Sequence, residues 1–524
     1  MPENLELELA WDFVEKTDRS IFLTGKAGTG KTTFLHSLKS NSLKRLIVLA
    51  PTGVAAINAK GVTIHSFFQM PFGPILPEVA SLQKKETSFK HKFSKIKINI
   101  IKSLDVLIID EISMVRADLL DGIDQVLRRY RDRTKVFGGL QVLMIGDLQQ
   151  LAPVVKNNEW ELLKTYYNTP YFFSSKAFIE SATVNIELKH IYRQDNQRFI
   201  KILNEIRNNN LSDDSVTELN KRYLPDFTPK QDEGYITLTT HNGRANILND
   251  KELNKLKDKT QNYKAFIQGK FQENSYPTHE KLILKKGAQV MFIKNDSNSE
   301  KRYYNGKIGK IIALNKNEIQ VHCQGDLEDI MVTPETWENV NYILNPETKE
   351  ISENSIGSFS QMPLRLAWAI TIHKSQGLTF DKAIIDANAA FAHGQTYVAL
   401  SRCRTLEGIV LKNKIATESI ITDSRVTSFN NSVAENPPNQ FDLNNSQKVF
   451  QLSMVGELMN YYQFMFPVNR LIEIYNRNKN SFQGTIINPL IQIKEGGVQP
   501  ILVIANSFNK QLNDLCKDVV LPEN

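Results

Sequence analysis

Cysteine is scarce in this chain. Its three cysteines, Cys323, Cys403 and Cys516, sit among 524 residues with no Cys-x-x-Cys spacing. That argues against a structural zinc site and against a disulfide framework, and it fits a reducing, cytoplasmic setting, nucleoid-associated in a bacterium. Long apolar runs are also missing, and none approaches the length that crosses a bilayer, so no membrane partner is expected. The stretch Met1 to Glu6 is acidic and has no apolar core, so no secretory signal is read there. Neither charge dominates: 64 Lys and Arg against 57 Asp and Glu leave +7 at pH 7. That permits a polyanionic partner without demanding one. No second acidic cluster suggests nuclease metals. The length exceeds what one core can organise, so three or four domains are expected.

What is present is more specific. Residues 25 to 32 read Gly-Lys-Ala-Gly-Thr-Gly-Lys-Thr, between the apolar run Ser20 to Leu23 and the helix-patterned Thr33 to Leu38. Three glycines let the backbone curl so that its N–H groups face phosphate oxygens. Lys31 then reaches the β and γ phosphates, and the Thr32 hydroxyl holds Mg²⁺. The nucleotide set is Gly25, Ala27, Gly28, Thr29, Gly30, Lys31, Thr32 and Thr33, and the ligands expected there are a nucleoside triphosphate and Mg²⁺.

Asp110-Glu111 follows the apolar run Val106 to Ile109. A buried strand of that kind presents its terminal acids beside the phosphate loop. Asp110 would help hold Mg²⁺, and Glu111 would orient and deprotonate the attacking water. Gly146 to Leu151 closes another apolar run, and Gln150 there is a candidate to sense the γ-phosphate or place the water; the segment reads equally as a turn before a helix. Arg193, in Ile191 to Gln194, and Arg402, in Tyr397 to Arg402, are candidates to neutralise γ-phosphate charge when a cleft closes. A lone arginine is more often a surface ion pair.

Organisation follows the apolar pattern. Arg45 to Ala50, Val106 to Ile109 and Gln141 to Ile145 read as buried parallel strands, with helical patterns such as Ala117 to Arg131 between them. Residues 70 to 102 interrupt the rhythm. Lys84 to Lys102 holds seven lysines against one acid, Glu86, and reads either as a solvated insertion or as a nucleic-acid contact. Gly287 to Phe292 and Ile308 to Ala313 read as antiparallel strands of a small β module. The Asn-, Ser- and Pro-rich stretch from Thr427 to Ser446 reads as a linker, and a chain ending near Glu435 is expected to stay folded and active, the alternative being that the C-terminal segment packs on the domain before it and is needed for folding. Beyond it, Phe450, Tyr461, Tyr462, Phe464 and Phe466 are expected to form the core of a small helical domain.

Taken in order, these segments resemble the motifs of superfamily-one DNA helicases, and among them the Pif-one, RecD-like family that travels 5′ to 3′. The carriers are Gly25 to Thr32, Ala50 to Ala56, Thr63 to Phe68, Asp110 to Met114, Gly146 to Pro153, Tyr192 to Gln194, Thr371 to Gly377 and Tyr397 to Arg402, spread over roughly residues 20 to 424. The resemblance implies an α/β fold of two RecA-like domains, residues 1 to 190 and 191 to 424. The first would carry the 70 to 102 insertion as a separation element. The second would carry an SH3-like module within an insertion at about 250 to 358. A linker at 425 to 446 and an accessory domain at 447 to 524 would follow. Gly377 joins the nucleotide set, and the DNA-gripping set is Thr52, Gly53, His65, Phe67, Asn242, His373, Lys374 and Ser375. Phe67 and His65 also read as ordinary core. The implied activity is ATP-dependent unwinding of tailed or forked duplex DNA by a monomer that tracks single-stranded DNA, with roles in repair, recombination and telomere maintenance. G-quadruplexes and RNA–DNA hybrids remain open as substrates, and a clamp that does not separate strands is the alternative. Many relatives place an adenine-reading glutamine ahead of the phosphate loop, whereas residues 1 to 20 contain none.

Overall fold

The computed structural model describes residues 4–71, 73–77, 93–194, 196–230, 233–296, 301–345, 347–348, 350–386, 394–416, 423–481 and 485–517. Two compact units result: Met1–Ala10 with Ser20–Pro437, and Trp11–Arg19 with Pro438–Asn524.

The first unit is built on two parallel sheets. Strands β1 (Ile21–Gly25), β2 (Leu46–Ala50), β3 (Val62–Thr63), β4 (Val106–Ile109), β5 (Gln141–Ile145) and β6 (Val184–Leu188) form a six-stranded sheet in the order β3-β2-β4-β5-β1-β6. Every pairing is parallel. All residues of β1, β4 and β5 are buried, which is why these strands read as unbroken apolar runs and not as alternation. The core beneath them includes Phe22, Leu107, Val142, Leu120 and Phe172. The helix Ala117–Tyr130 supplies part of it, as its apolar pattern predicts.

The second parallel sheet has four strands, in the order Ala369–Thr371, Ile236–Thr239, Ala383–Asp386, Ile409–Leu411. Its core gathers Leu238, Ile385, Val398 and Leu400. Between its first two strands in sequence, 236–239 and 369–371, lie antiparallel elements. Gln289–Phe292 pairs with Ile308–Leu314, as the sequence predicts, inside a five-stranded sheet. A long hairpin, Glu335–Leu344 with Ile351–Gln361, extends from this region to the first core. There Tyr342 packs edge-on to Phe67, and Glu353 pairs with Lys39 at 2.6 Å.

Of the Lys-rich insertion, residues 72 and 78–92 lie outside the described residues. Its end forms the helix Lys95–Ser103, with Ile100 and Ile101 buried.

The boundary between the two units, at Pro437 and Pro438, falls inside the stretch expected as a linker, but that stretch is mostly helical and not coil: Ser424–Glu435 and Gln440–Leu458 are helices. The apolar residues Val426, Phe429 and Val433 are spaced for one helix face amid polar neighbours. Val426 is fully buried in the first core, and Phe429 stacks on Phe173 with ring centroids 4.4 Å apart. Asn439, one of the asparagines that suggested a coil, is a cap that accepts from the Phe441 and Asp442 amides, and Asp423, just ahead of the stretch, caps the first helix by accepting from the Arg425 amide. The expected aromatic core also fails: Tyr462, Phe464 and Phe466 are 54%, 52% and 77% exposed. They fall in or beside the short turn Tyr461–Phe464, where Phe464 stacks on Tyr461 with ring centroids 6.3 Å apart. The second unit buries Leu443, Tyr475, Leu502 and Ala505 instead.

The second unit also takes in Trp11–Arg19 from the other end of the chain, where Phe13 and Val14 are fully buried. A chain ending after Pro437 therefore keeps an apolar segment without the rest of its unit. Such a chain is expected to lose soluble yield and melt earlier than the full chain, and serine at Trp11, Phe13 and Val14 should restore solubility. A shortened chain as soluble and as heat-stable as the full one would contradict this.

Candidate active site and nucleic-acid interface

The phosphate loop leaves β1 at Gly25 and enters helix α2 (Lys31–Asn41). Gly28 and Gly30 have φ of 83° and 90°, a region that disfavours side chains. A Cβ on Gly28 would also come within 2.5 Å of the Arg193 Cβ, so glycine lets the loop and Arg193 approach. Lys31 Nζ donates to the carbonyls of Gly25 at 2.5 Å and Lys26 at 3.0 Å, and burial lowers its pKa. The Thr29 hydroxyl donates to Lys26 O at 2.9 Å. Thr32 and Thr33 are exposed on the first turn of α2. The Ala27 amide donates to the Tyr397 hydroxyl at 3.0 Å, across to the second parallel-sheet domain.

Asp110 and Glu111 follow β4. Glu111 adopts left-handed backbone, φ 52°, and its amide donates to Asp110 Oδ1 at 3.0 Å. Burial raises the pKa of both carboxyls, and the neighbouring Asp110 charge raises Glu111 further, against the pull of Lys31 and Arg402. Gln376 Nε2 donates to Glu111 Oε2 at 2.8 Å, so the candidate base is held from the second domain. Asp147 is buried too, but Arg207, 3.4 Å away, and Lys31 outweigh the burial and keep it ionised. Gln150 Nε2 donates to Asp147 Oδ2 at 3.0 Å, so its amide hydrogens are turned to that acid.

The two candidate arginines differ in their bonding. Arg193 has one long bond, from Nη1 to Ser401 O at 3.5 Å. Arg402 is fully enclosed. Its Nε donates to Val398 O at 2.9 Å and its Nη2 to Ser401 Oγ at 2.9 Å, while Nη1 faces the carbonyls of Leu378 and Ser375 at 3.4 and 3.5 Å. Burial and the nearby Arg193 both disfavour its charge.

The candidate DNA residues divide. Thr52 is exposed, and its hydroxyl accepts from Ala55 N, capping helix α3 (Gly53–Asn58). Gly53 faces Ser275, 3.4 Å from where a Cβ would stand. Asn242, His373 and Lys374 are exposed and His65 is half-buried. Gly377, φ 78°, has nothing within 4 Å of its Cβ position. Two members are corrected. Phe67 is 3% exposed, packed on Phe68 with Lys97 over its ring, so neither face is open to a base. Ser375 is fully buried and its hydroxyl donates to Ile372 O at 2.7 Å, so it shapes the turn instead of meeting DNA through that group.

Sequence reasoning did not single out Gln376, Tyr397, Asp147 or Gln194, although each lies inside a quoted motif. Gln194 Nε2 donates to the carbonyls of Ser401 and Cys403, both at 3.2 Å. Arg207 had no motif signal: it is the last residue of the helix Gln197–Arg207, and only tertiary packing brings it to Asp147. No group of three or more potential metal ligands occurs among the described residues. Thr32 and Asp110 are hard oxygen donors, and that is enough for Mg²⁺, which takes one or two protein ligands and completes its shell with phosphate and water.

A family model described as PIF1-like helicase matches residues 8–217, and one described as DNA helicase, middle domain, matches residues 442–524. The ATP-dependent DNA helicase Pif1 of Psychrobacter is 32% identical over 460 residues, covering 76% of this chain and 66% of that protein. The chain thus spans less than two thirds of the length of the first curated relatives it matches. A Bacteroides Pif1 crystal structure in complex with ADP-AlF4 is 42% identical, with a TM-score of 0.77 over 83% of this chain and 98% of that one. The Bacteroides Pif1 bound to ssDNA is 43% identical, with a TM-score of 0.59 over 82% and 97%.

Proposed function

Because the chain belongs to the PIF1-like helicase family, we propose that it hydrolyses ATP between its two parallel-sheet domains and uses the cycle to travel 5′ to 3′ on single-stranded DNA and unwind tailed or forked duplexes. The observation that carries this reading is the bond from Gln376 to Glu111. Gln376 lies two residues from Lys374, an exposed candidate for backbone phosphate, and holds the base that addresses the attacking water. One short turn, His373–Ser375, therefore connects the hydrolytic acid with the DNA side.

The roles follow from the contacts. The phosphate loop and Lys31 bind the triphosphate. Lys31 must exchange its bonds to Gly25 and Lys26 for phosphate oxygens, and the Ala27 amide is shared between Tyr397 and an incoming anion. Mg²⁺, held through Thr32 and Asp110, would neutralise phosphate charge. Glu111 takes the proton of the water, and Arg193 and Arg402 meet the charge that builds on the γ-phosphoryl oxygens. Closure around nucleotide then moves the Lys374 turn relative to Thr52 and Gly53, and alternating grip produces steps.

The test is steady-state ATP turnover with and without single-stranded DNA, followed by strand displacement on 5′-tailed, 3′-tailed and blunt duplexes. Turnover should rise with DNA and unwinding should require the 5′ tail. Turnover indifferent to DNA would overturn the proposal, and unwinding from a 3′ tail alone would overturn its direction.

A further inference from the structure

Several described arginines that reach into the protein are neutralised or surrounded by acceptors. Arg207 pairs with Asp147 and Arg116 with Asp118, while Arg131 Nη1 meets the carbonyls of Ile101, Lys102 and Leu104. Arg365 is different. It lies on the strand Leu364–Leu366, opposite Met291, with its backbone fixed in the five-stranded sheet. Its Nη2 donates to Pro277 O at 2.9 Å, and its buried Nε has no hydrogen-bond partner. Burial disfavours its charge and no carboxylate offsets that.

Its neighbours add positive charge. Lys374 is close enough for Arg365 to lower its proton affinity, after burial, and His279 feels both, with Asp250 as a weaker opposing charge. No ion pair neutralises Arg365 or Lys374 among the described residues. An uncompensated guanidinium in a low-dielectric site is costly, and a permanent anionic ligand would remove that cost. The loop that Arg365 holds at Pro277 is the same one whose Ser275 abuts Gly53 at 3.4 Å. Through that loop Arg365 connects the Gly53 side with the Lys374 side, the two proposed to hold DNA.

We propose that Arg365, with Lys374 and His279, forms a subsite for one backbone phosphodiester of single-stranded DNA. This rests on the DNA-binding reading above. A planar guanidinium whose Nη1 is free of hydrogen bonds among the described residues still has donors that a phosphate oxygen takes, and Lys374 supplies a second charge. The anion completes a cluster that the protein alone leaves positive.

The test measures binding of a fluorescently labelled oligothymidylate over a series of salt concentrations, for the full chain and for Arg365→Gln, Arg365→Lys and Lys281→Gln. The last removes an exposed lysine from a neighbouring strand, Lys281–Leu284. Arg365→Gln should weaken binding roughly tenfold and flatten the slope of log affinity against log salt by about 0.7, the share of one phosphate on a single strand. Arg365→Lys should restore the slope, Lys281→Gln should leave it near wild type, and Arg365→Gln should melt no earlier than the full chain. A wild-type slope in Arg365→Gln overturns the subsite. So does an early-melting Arg365→Gln protein whose slope is unchanged by Arg365→Lys, because that marks a structural arginine. Inorganic phosphate that competes at matched ionic strength only when Arg365 is present, with DNA affinity unchanged in Arg365→Gln, also overturns it in favour of a free-anion site. Failure of the full chain to bind the oligothymidylate would instead bring down the DNA-binding reading itself.

Discussion

Glu111→Gln is expected to lower ATP turnover by about 10³-fold, equivalent to about 4 kcal/mol of barrier, while nucleotide still binds. The substitution removes the base and little else. Glutamine keeps an oxygen that accepts from Gln376 Nε2, so the bond between the domains survives, and the phosphate loop is untouched. The wild-type pH profile should carry the mark of the same acid. Burial and the adjacent Asp110 charge hold a proton on Glu111 above the ordinary carboxylate range. A base must be deprotonated to act, so turnover rises with pH through that raised pKa and falls below it, and Glu111→Gln should lose this acid limb. Steady-state turnover over a pH series, with equilibrium binding of a labelled nucleotide, checks both statements. Wild-type turnover in Glu111→Gln would remove it from the base role.

Arg193→Ala and Arg402→Ala should each suppress turnover by roughly 10³-fold, the scale on which a cleft-closing guanidinium acts, but they should differ in stability. Arg193 makes one long bond, so its loss leaves little unpaired. Arg402 faces the carbonyls of Val398, Leu378 and Ser375 together with the Ser401 hydroxyl, all buried. Removing it strands those acceptors at a cost of about 1–3 kcal/mol for a buried group left unsatisfied. Arg402→Ala should therefore melt measurably earlier, whereas Arg193→Ala should melt with the full chain. Kinetics and thermal melting on the same preparations separate the two roles. Equal melting of both variants would mean that the enclosed guanidinium does not hold its loop, and undiminished turnover in Arg193→Ala would remove it from the chemistry.

Several features were legible without coordinates because they are local. A phosphate loop needs glycine at positions of positive φ, a lysine at the helix start and a hydroxyl beside it, all within eight residues, Gly25 to Thr32. Buried parallel strands are apolar on both faces, so β1, β4 and β5 announce themselves. The antiparallel pairing of Gln289–Phe292 with Ile308–Leu314 was equally visible, since its turn signals lie between the strands.

Other features escaped for identifiable reasons. The helix Ser424–Glu435 was hidden because asparagine and serine mark both coils and helix caps, and only Val426, Phe429 and Val433 finding a core decides between them. Ser375 follows the exposed His373 and Lys374, and Phe67 lies between exposed Ser66 and buried Phe68, so side-chain direction within a five-residue helix or a single turn depends on what packs behind it.

By itself, then, the amino-acid sequence determined the phosphate-loop pattern, the parallel strands and the order of the motifs, all encoded in short contiguous stretches. Tertiary structure alone decided which charges meet. It paired Arg207 with Asp147, brought Gln376 to Glu111 across 265 residues, enclosed Arg402 in carbonyls and left Arg365 without a counter-charge among the described residues. The reason is physical. Backbone conformation and strand burial follow from neighbours along the chain, whereas the energy of a charge depends on the dielectric and the partners that folding places around it.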